Sequence, residues 1–158
     1  MVEVVSSMEL MNRVAQLVIK TNEKWYWKLL RYIMFFFRSW FFDLKYKTIS
    51  LSELEQILRE YDQYLKRYKL EYEIDYFDCD DYAVTFKAFA TRRTKANSVG
   101  IAIGIVSKPD EGILGGHAWN IVILDNGNIV FVEPQTREWF EPNVSSDGFI
   151  YELQAVIW

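Results

Sequence analysis

The stretch GGHAWNIVILDNGNIVFVEPQT, residues 115–136, contains two strand-like runs joined by a tight turn, and it therefore predicts how the sheet begins to pair. Short apolar runs at 117–124 and 128–133, bounded by turn residues, are typical of β-strands. The segment Asp125-Asn126-Gly127-Asn128 between them favours the positive backbone angles of a hairpin. We therefore predict an antiparallel hairpin with His117 and Glu133 on neighbouring strands.

The length of the hairpin loop determines which face of the sheet Glu133 occupies. A strict two-residue turn pairs Asn120 with Glu133 and places Glu133 on the face opposite His117. A three-residue loop, or a bulge with Gly127 in the left-handed conformation, places both on one face. We expect the bulge, with Asn120 and Gln135 as alternative polar partners of His117.

The rest of the chain divides at Gly100, because no glycine or proline precedes it. Ser50 and Glu53 form a capping box at one predicted helix start, and Asp78 caps another helix that has Cys79 at its first position. Hydrophobic spacing predicts helices and two further strands. The helices cover residues 5–20, 23–43, 51–68 and a segment starting at Cys79, and the strands cover 100–106 and 149–157.

This order of elements predicts an α+β fold in which N-terminal helices are followed by an antiparallel sheet packed on the helix that bears Cys79. The chain has 158 residues, which is enough for one domain and too few for two hydrophobic cores. We expect a single domain over 1–158, with a helical N-terminal part at 1–70 and the core at 71–158.

Composition and charge exclude several classes of protein. A hydrophobic share of 51% and a charged share of 25% are typical of globular proteins, and a net charge of −4 does not favour a nucleic-acid partner. One cysteine and one histidine exclude a disulfide framework and a zinc cluster, so we expect no metal and no cofactor. The N-terminus lacks the pattern of a secretory signal, and we expect a cytoplasmic protein.

Residues 25–42 are the most aromatic segment of the chain. On a helix, the basic side chains of this region and of Lys24 lie in a stripe about 80° wide, and nearly all other residues from 25 to 42 are apolar. We interpret it as a helix buried on most sides whose basic side chains reach water. The alternatives are docking to an anionic membrane or to a protein, and a symmetric homo-oligomer. Lys28, Arg31 and Arg38 argue against a membrane-spanning helix.

Cys79 is the candidate nucleophile. The first turn of a helix favours a thiolate, whereas the neighbouring carboxylates Asp78, Asp80 and Asp81 raise the pKa of the thiol. A lone cysteine is more often a small buried apolar residue, so the chemistry needs a basic partner, for which His117 is the candidate. A carboxylate that orients the imidazole completes such a site, and Glu133 is placed to do so.

Three segments resemble the motifs of the transglutaminase-like branch of the papain-like cysteine peptidase superfamily, including bacterial transglutaminase-like cysteine peptidases. They are DCDDYA at 78–83, GHAWN at 116–120 and VEPQT at 132–136. The resemblance covers about residues 75–136 and implies a papain-like catalytic core over 71–158. It further implies a triad of Cys79 as nucleophile, His117 as general base and acid, and Glu133 at a position where the family usually has aspartate.

The function implied by this resemblance is that of a cysteine-dependent acyl-transfer enzyme. Such an enzyme hydrolyses an amide or peptide bond of a peptide or protein substrate through a thioester, so we expect a cysteine peptidase, an amidase or a related acyltransferase. The alternative is a catalytically inactive transglutaminase-like binding or structural module. That module would dock to a protein or membrane through residues 25–42.

Overall fold

The computed structural model describes residues 4–19 and 23–158, and it opens with a strand rather than a helix. Strand β1, Val4–Ser6, pairs antiparallel with β2, Lys45–Lys47. Helix α1, Ser7–Leu17, follows directly, and the Ser6 side chain caps it by accepting the Glu9 N–H. The predicted helix over 5–20 therefore starts too early, because residues 4–6 pair as a strand, and its end at Lys20 lies outside the described residues.

The second helix, α2, covers Trp25–Arg38 and ends five residues before the predicted boundary at Asp43. Ser39 adopts an extended backbone, and its hydroxyl accepts the Val156 N–H at 3.1 Å. Trp40 then pairs in parallel with Ile157. The chain leaves the helix because these groups dock on the edge of the main sheet.

Helices α3 and α4 start where the sequence predicted them. Helix α3, Leu51–Tyr68, begins after Ser50, which forms a capping box with Glu53. Helix α4, Cys79–Thr94, begins after Asp78, whose N–H donates to the Asp81 carboxylate at 3.4 Å. Both capping predictions are confirmed, since these motifs act within a single turn of the chain.

Five antiparallel strands form the main sheet in the order β6-β5-β4-β3-β7. The predicted strands are confirmed in place and type, whereas the short β6, like β1 and β2, was not predicted. The five strands are β3 Val99–Lys108, β4 Gly112–Ile123, β5 Ile129–Glu133, β6 Glu138–Phe140 and β7 Ile150–Ile157.

The hairpin between β4 and β5 has the longer loop that we expected. Asn120 lies opposite Val132, and the Leu124 N–H donates to the Asn128 carbonyl at 2.9 Å, so three residues form the loop. Gly127 has a φ of 82°, the left-handed conformation that closes this type of loop. The prediction that His117 and Glu133 share one face is therefore confirmed.

Each face of the sheet is covered by its own hydrophobic core. Helices α1 and α2 pack on the face that contains Trp119 and Phe131, whereas α3 and α4 pack on the face that contains Val122 and Val130. The α+β prediction is confirmed, including the contact of the sheet with the helix that bears Cys79.

Helix α2 contradicts the prediction of a helix buried on most sides. Phe35 is the one buried residue of α2, whose main contacts with other elements are those with α1 and β7. Across the part of the chain that the structure describes, no helix combines the length and apolarity needed to cross a membrane.

Candidate functional site

The candidate site is built around a contact between His117 on β4 and Glu133 at the end of β5. The Nε2 atom of His117 lies 2.6 Å from Oε2 of Glu133. The contact exists because the three-residue hairpin loop places both side chains on one face of the sheet. Glu133 is buried, and a buried carboxylate requires partners of this kind.

Two further donors hold the Glu133 carboxylate. The Tyr151 hydroxyl of β7 donates to Oε2 at 3.2 Å, and the Gln135 backbone N–H donates to Oε1 at 3.2 Å. Burial and the nearby Glu133 charge raise the pKa of Tyr151, so its hydroxyl keeps its proton as a donor. Trp119 stacks beside the His117 ring, with ring centres 6.2 Å apart. The His117 ring is therefore held in place on two sides.

A cavity of about 350 Å³ opens beside this pair. Gly115 and Gly116 keep part of its wall open, since a Cβ at Gly115 would meet nothing within 4 Å and one at Gly116 would meet only a backbone oxygen at 4.0 Å. The cavity combines apolar surface with a few convergent polar groups, which is the usual make-up of a ligand site. Its lining residues are Val106, Leu114, Gly115, Gly116, His117, Glu133, Gln135, Thr136, Phe149 and Tyr151.

The Cys79 thiol contacts the chain next to His117 and does not line the cavity. It occupies the first position of α4 as predicted, but it is not among the residues that line the cavity. The Ala118 backbone N–H is hydrogen-bonded to the thiol, and among the described residues no hydrogen bond joins that thiol to the His117 ring. Sequence reasoning placed three residues in one site, and the structure joins two of them by a hydrogen bond.

Burial raises the pKa of the Cys79 thiol. The hydrogen bond from Ala118 acts in the opposite direction, and the charges of Asp78 and Asp80 raise the pKa further. The neutral thiol is therefore the favoured form near neutral pH.

The alternative polar partners of His117 have other roles. The Asn120 amide is buried against α4, where it donates to the Ala83 carbonyl at 2.9 Å and to the Gly100 carbonyl at 3.1 Å. Gln135 contributes its backbone N–H to Glu133. The prediction of Asn120 as an alternative partner of His117 is therefore wrong. Tyr151 was missed because sequence alone does not indicate which strand lies beside β3.

Acidic groups cluster at the start of α4. Ligand atoms of Asp78, Cys79 and Asp80 lie within 4.8 Å of one another. A hydrogen bond with Asp78 raises the pKa of Asp80 and lowers that of Asp78, so the two carboxyl groups are coupled. Such groups are common at exposed helix starts, where carboxylates interact with unpaired N–H groups.

Comparisons with known proteins provide a family match. The model of the Agglutinin C-terminal family matches residues 46–139, more than half of the chain. The matched segment includes His117, Glu133, Gln135 and Thr136 of the cavity wall. A search of curated proteins finds no match.

Solved structures share the fold at low sequence identity. A PSL1a–E64 complex has a TM-score of 0.62 and 17% identity, and the match covers 98% of this chain and 51% of that chain. A Polyporus squamosus lectin bound to the influenza-binding epitope Neu5Acα2-6Galβ1-4GlcNAc has a TM-score of 0.54 and 21% identity, with 77% of this chain and 42% of that chain covered. This chain thus spans about half the length of these structures.

These findings contradict the assignment to the transglutaminase-like cysteine peptidases. The family match is to an agglutinin family, so the peptidase assignment, the cysteine peptidase or amidase activity and the peptide substrate are corrected together, and the papain-like core is not supported. Short motifs such as DCDDYA and GHAWN did not identify the family, because each contains few residues and the helices before residue 75 were not covered by the resemblance.

Proposed function

The chain belongs to the Agglutinin C-terminal family, and on this premise we propose that it is a non-catalytic, lectin-type module that binds a carbohydrate. The observation that carries the proposal is the position of the family match, which includes the polar wall of the cavity beside His117. The alternative of a binding module is thereby preferred to an enzyme.

The chemistry of the cavity suits a neutral polyol. A sugar ring presents hydroxyl groups, which need both donors and acceptors, and C–H faces, which pack on aromatic rings. The cavity offers the Thr136 hydroxyl, the Gln135 amide and the His117 imidazole as polar groups. Phe149 provides an apolar wall. A volume of about 350 Å³ is at the lower end of typical ligand sites and fits one or two sugar units.

The residues of the site have different roles in this proposal. Glu133 has both oxygens occupied by His117, Tyr151 and the Gln135 N–H, so it positions the imidazole rather than binding the sugar. His117 contacts Glu133 through Nε2, and its Nδ1 atom is the one that would meet a ligand hydroxyl. Cys79 acts as a packing residue beside Ala118.

Isothermal titration of the chain with glycans tests the proposal. The first probe is Neu5Acα2-6Galβ1-4GlcNAc, and the second is the same glycan without its sialic acid, so that the two results separate charged from neutral recognition. The key variant is His117→Ala, because it removes the imidazole that lines the cavity and whose Nδ1 atom would meet a ligand hydroxyl. We expect binding by the native chain and at least a tenfold loss for His117→Ala, on the order of 1.4 kcal/mol.

The matched control is Glu141→Gln, an exposed position that does not line the cavity. It should bind like the native chain, and both variants should keep the native circular dichroism spectrum. Absence of binding to a broad glycan panel would overturn the proposal. Binding that His117→Ala leaves unchanged would overturn the assignment of the site.

A further inference from the structure

Helix α2 exposes a continuous apolar face. At 100° per residue the exposed apolar residues of this face span an arc of about 140° that contains no charged residue. Phe37 is 83% exposed, and every other member is also exposed. We call this set the α2 face, and it comprises Tyr26, Leu29, Leu30, Ile33, Met34 and Phe37.

Further exposed aromatic rings lie at the start of the helix and just after its end. Trp25 and Trp27 are exposed at its start, and Trp40 and Phe42 are exposed just after its end. Tryptophan and tyrosine combine an apolar ring with a polar group, and they are enriched where hydrocarbon meets water. An exposed apolar patch of this extent is unusual on a protein without a partner.

The charges of this segment are all of one sign. Between residues 24 and 42 the chain carries four charged side chains, all basic, although its net charge is −4. Arg31 is paired with Glu23 at 2.9 Å and with Glu152 at 3.1 Å. Lys24 and Arg38 are exposed at opposite ends of α2 and flank the α2 face. The surface is therefore complementary to an anionic partner.

A cavity of about 550 Å³ adjoins the same surface. Trp27, Leu30 and Met34 contribute apolar walls, and Arg31 and Arg38 contribute basic ones. Glu23 and Glu152 also line it and hold Arg31, which leaves Arg38 as the second basic group of the wall. The combination of apolar and basic walls suits a phospholipid headgroup with its attached acyl chains.

A second copy of the chain fits this surface less well. Two α2 helices packed antiparallel across a two-fold axis would bring Lys24 of one copy near Arg38 of the other. No acidic residue lies between 24 and 42 to compensate the repulsion. A parallel pair would place like charges together at each end.

We propose that the α2 face docks on the surface of a membrane that contains anionic phospholipids, with the apolar side chains in the boundary layer and Lys24 and Arg38 at the headgroups. Binding of this kind combines buried apolar area with electrostatic attraction. The proposal does not depend on carbohydrate binding, because the α2 face and the cavity beside His117 share no residue.

Vesicle flotation tests the proposal with the whole chain. The probes are vesicles of phosphatidylcholine alone and vesicles of phosphatidylcholine with phosphatidylserine, each at low and at high salt. We expect flotation only with phosphatidylserine and a decrease as salt rises. Phe37→Ser should weaken binding about tenfold because it removes one anchoring ring, and Arg38→Gln about fivefold.

The control variant is Tyr76→Ser, which removes a ring that is 79% exposed in the loop before α4. That loop is on the α3 and α4 side of the sheet, away from α2, so Tyr76→Ser should float like the native chain. His117→Ala should also float normally, which separates this proposal from carbohydrate binding.

Several outcomes would overturn the proposal. They are failure to float with phosphatidylserine at low salt, equal flotation with neutral vesicles, and a loss in Tyr76→Ser equal to that in Phe37→Ser. Sedimentation equilibrium provides the last test. A dimer that Phe37→Ser dissociates, without any vesicle binding by the native chain, would assign the α2 face to a second copy instead.

Discussion

For Cys79, the position in the helix and the ionisation of the thiol have different causes. Its place at the first position of α4 follows from the Asp78 cap and is evident from the sequence. Its ionisation depends on burial, on the Ala118 N–H and on two aspartates, and burial dominates. A helix start therefore does not by itself produce a reactive thiol.

We predict that Cys79 of the folded chain reacts slowly with iodoacetamide at neutral pH. Because its folded pKa is raised, the thiolate fraction falls relative to an ordinary cysteine, and the rate should rise only above about pH 8.5. The measurement is the alkylation rate against pH, with the chain unfolded in urea as the reference. The urea profile should have its midpoint at lower pH than the native profile.

His117→Ala is the companion variant for this experiment. Since no hydrogen bond joins the two side chains, its profile should match that of the native chain. A reactive plateau below about pH 7 that disappears in His117→Ala would instead establish a thiolate–imidazolium pair, and the binding-module proposal would then have to be abandoned.

At the scale of the element, the β4–β5 hairpin determines the geometry of the candidate site. Gly127 adopts a φ of 82°, and the Arg13 guanidinium donates to its carbonyl oxygen. Because side chains alternate along a strand, a loop shorter by one residue would move Glu133 to the other face and break its contact with His117.

We predict that Gly127→Ala destabilises the chain by about 1–2 kcal/mol, since a Cβ is strained at this backbone angle. Gly127→Asn should cost less, because asparagine tolerates the left-handed conformation while meeting the same Arg13 side chain. Urea denaturation measures both variants. Equal losses would attribute the cost to the displaced Arg13 rather than to the backbone angle.

For the whole molecule, the two hydrophobic cores share the same strands. Ile121 and Phe131 face the core under α1 and α2, whereas Val122 and Val130 face the core under α3 and α4. This shared sheet is the physical reason to expect a single domain over 1–158, because loss of one core would expose strands on which the other core depends. The expected division at residue 70 separates α3 from α4, although both belong to one core.

We predict one cooperative unfolding transition in urea, with tryptophan fluorescence and far-ultraviolet circular dichroism coinciding. Leu10→Ala and Leu54→Ala are matched variants, because each leucine is fully buried and each lies in a different core. Each should lower the free energy of unfolding by about 2–5 kcal/mol and shift both signals together. A transition that splits in either variant would show that the cores unfold separately.

Helix starts and the hairpin register could be predicted from the sequence, because their signals lie within a few neighbouring residues. The capping boxes at Ser50 and Asp78 start α3 and α4, and the three-residue loop that ends at Gly127 sets the β4–β5 register, because each acts over a few residues. The contact between His117 and Glu133 followed from that register. Three short motifs led to the wrong family, since they resemble those of transglutaminase-like peptidases whereas the longer match over 46–139 is to agglutinins.

Features that depend on contacts between distant parts of the chain became evident from the tertiary structure and not from the sequence. The exposure of α2 follows from how little of it α1 and β7 cover, which hydrophobic spacing does not encode. Tyr151 reaches Glu133, and the thiol of Cys79 stays outside the cavity, because of how β7 and α4 pack against the sheet. Burial and contact are properties of the assembled chain, so local sequence patterns specify elements more reliably than surfaces and sites.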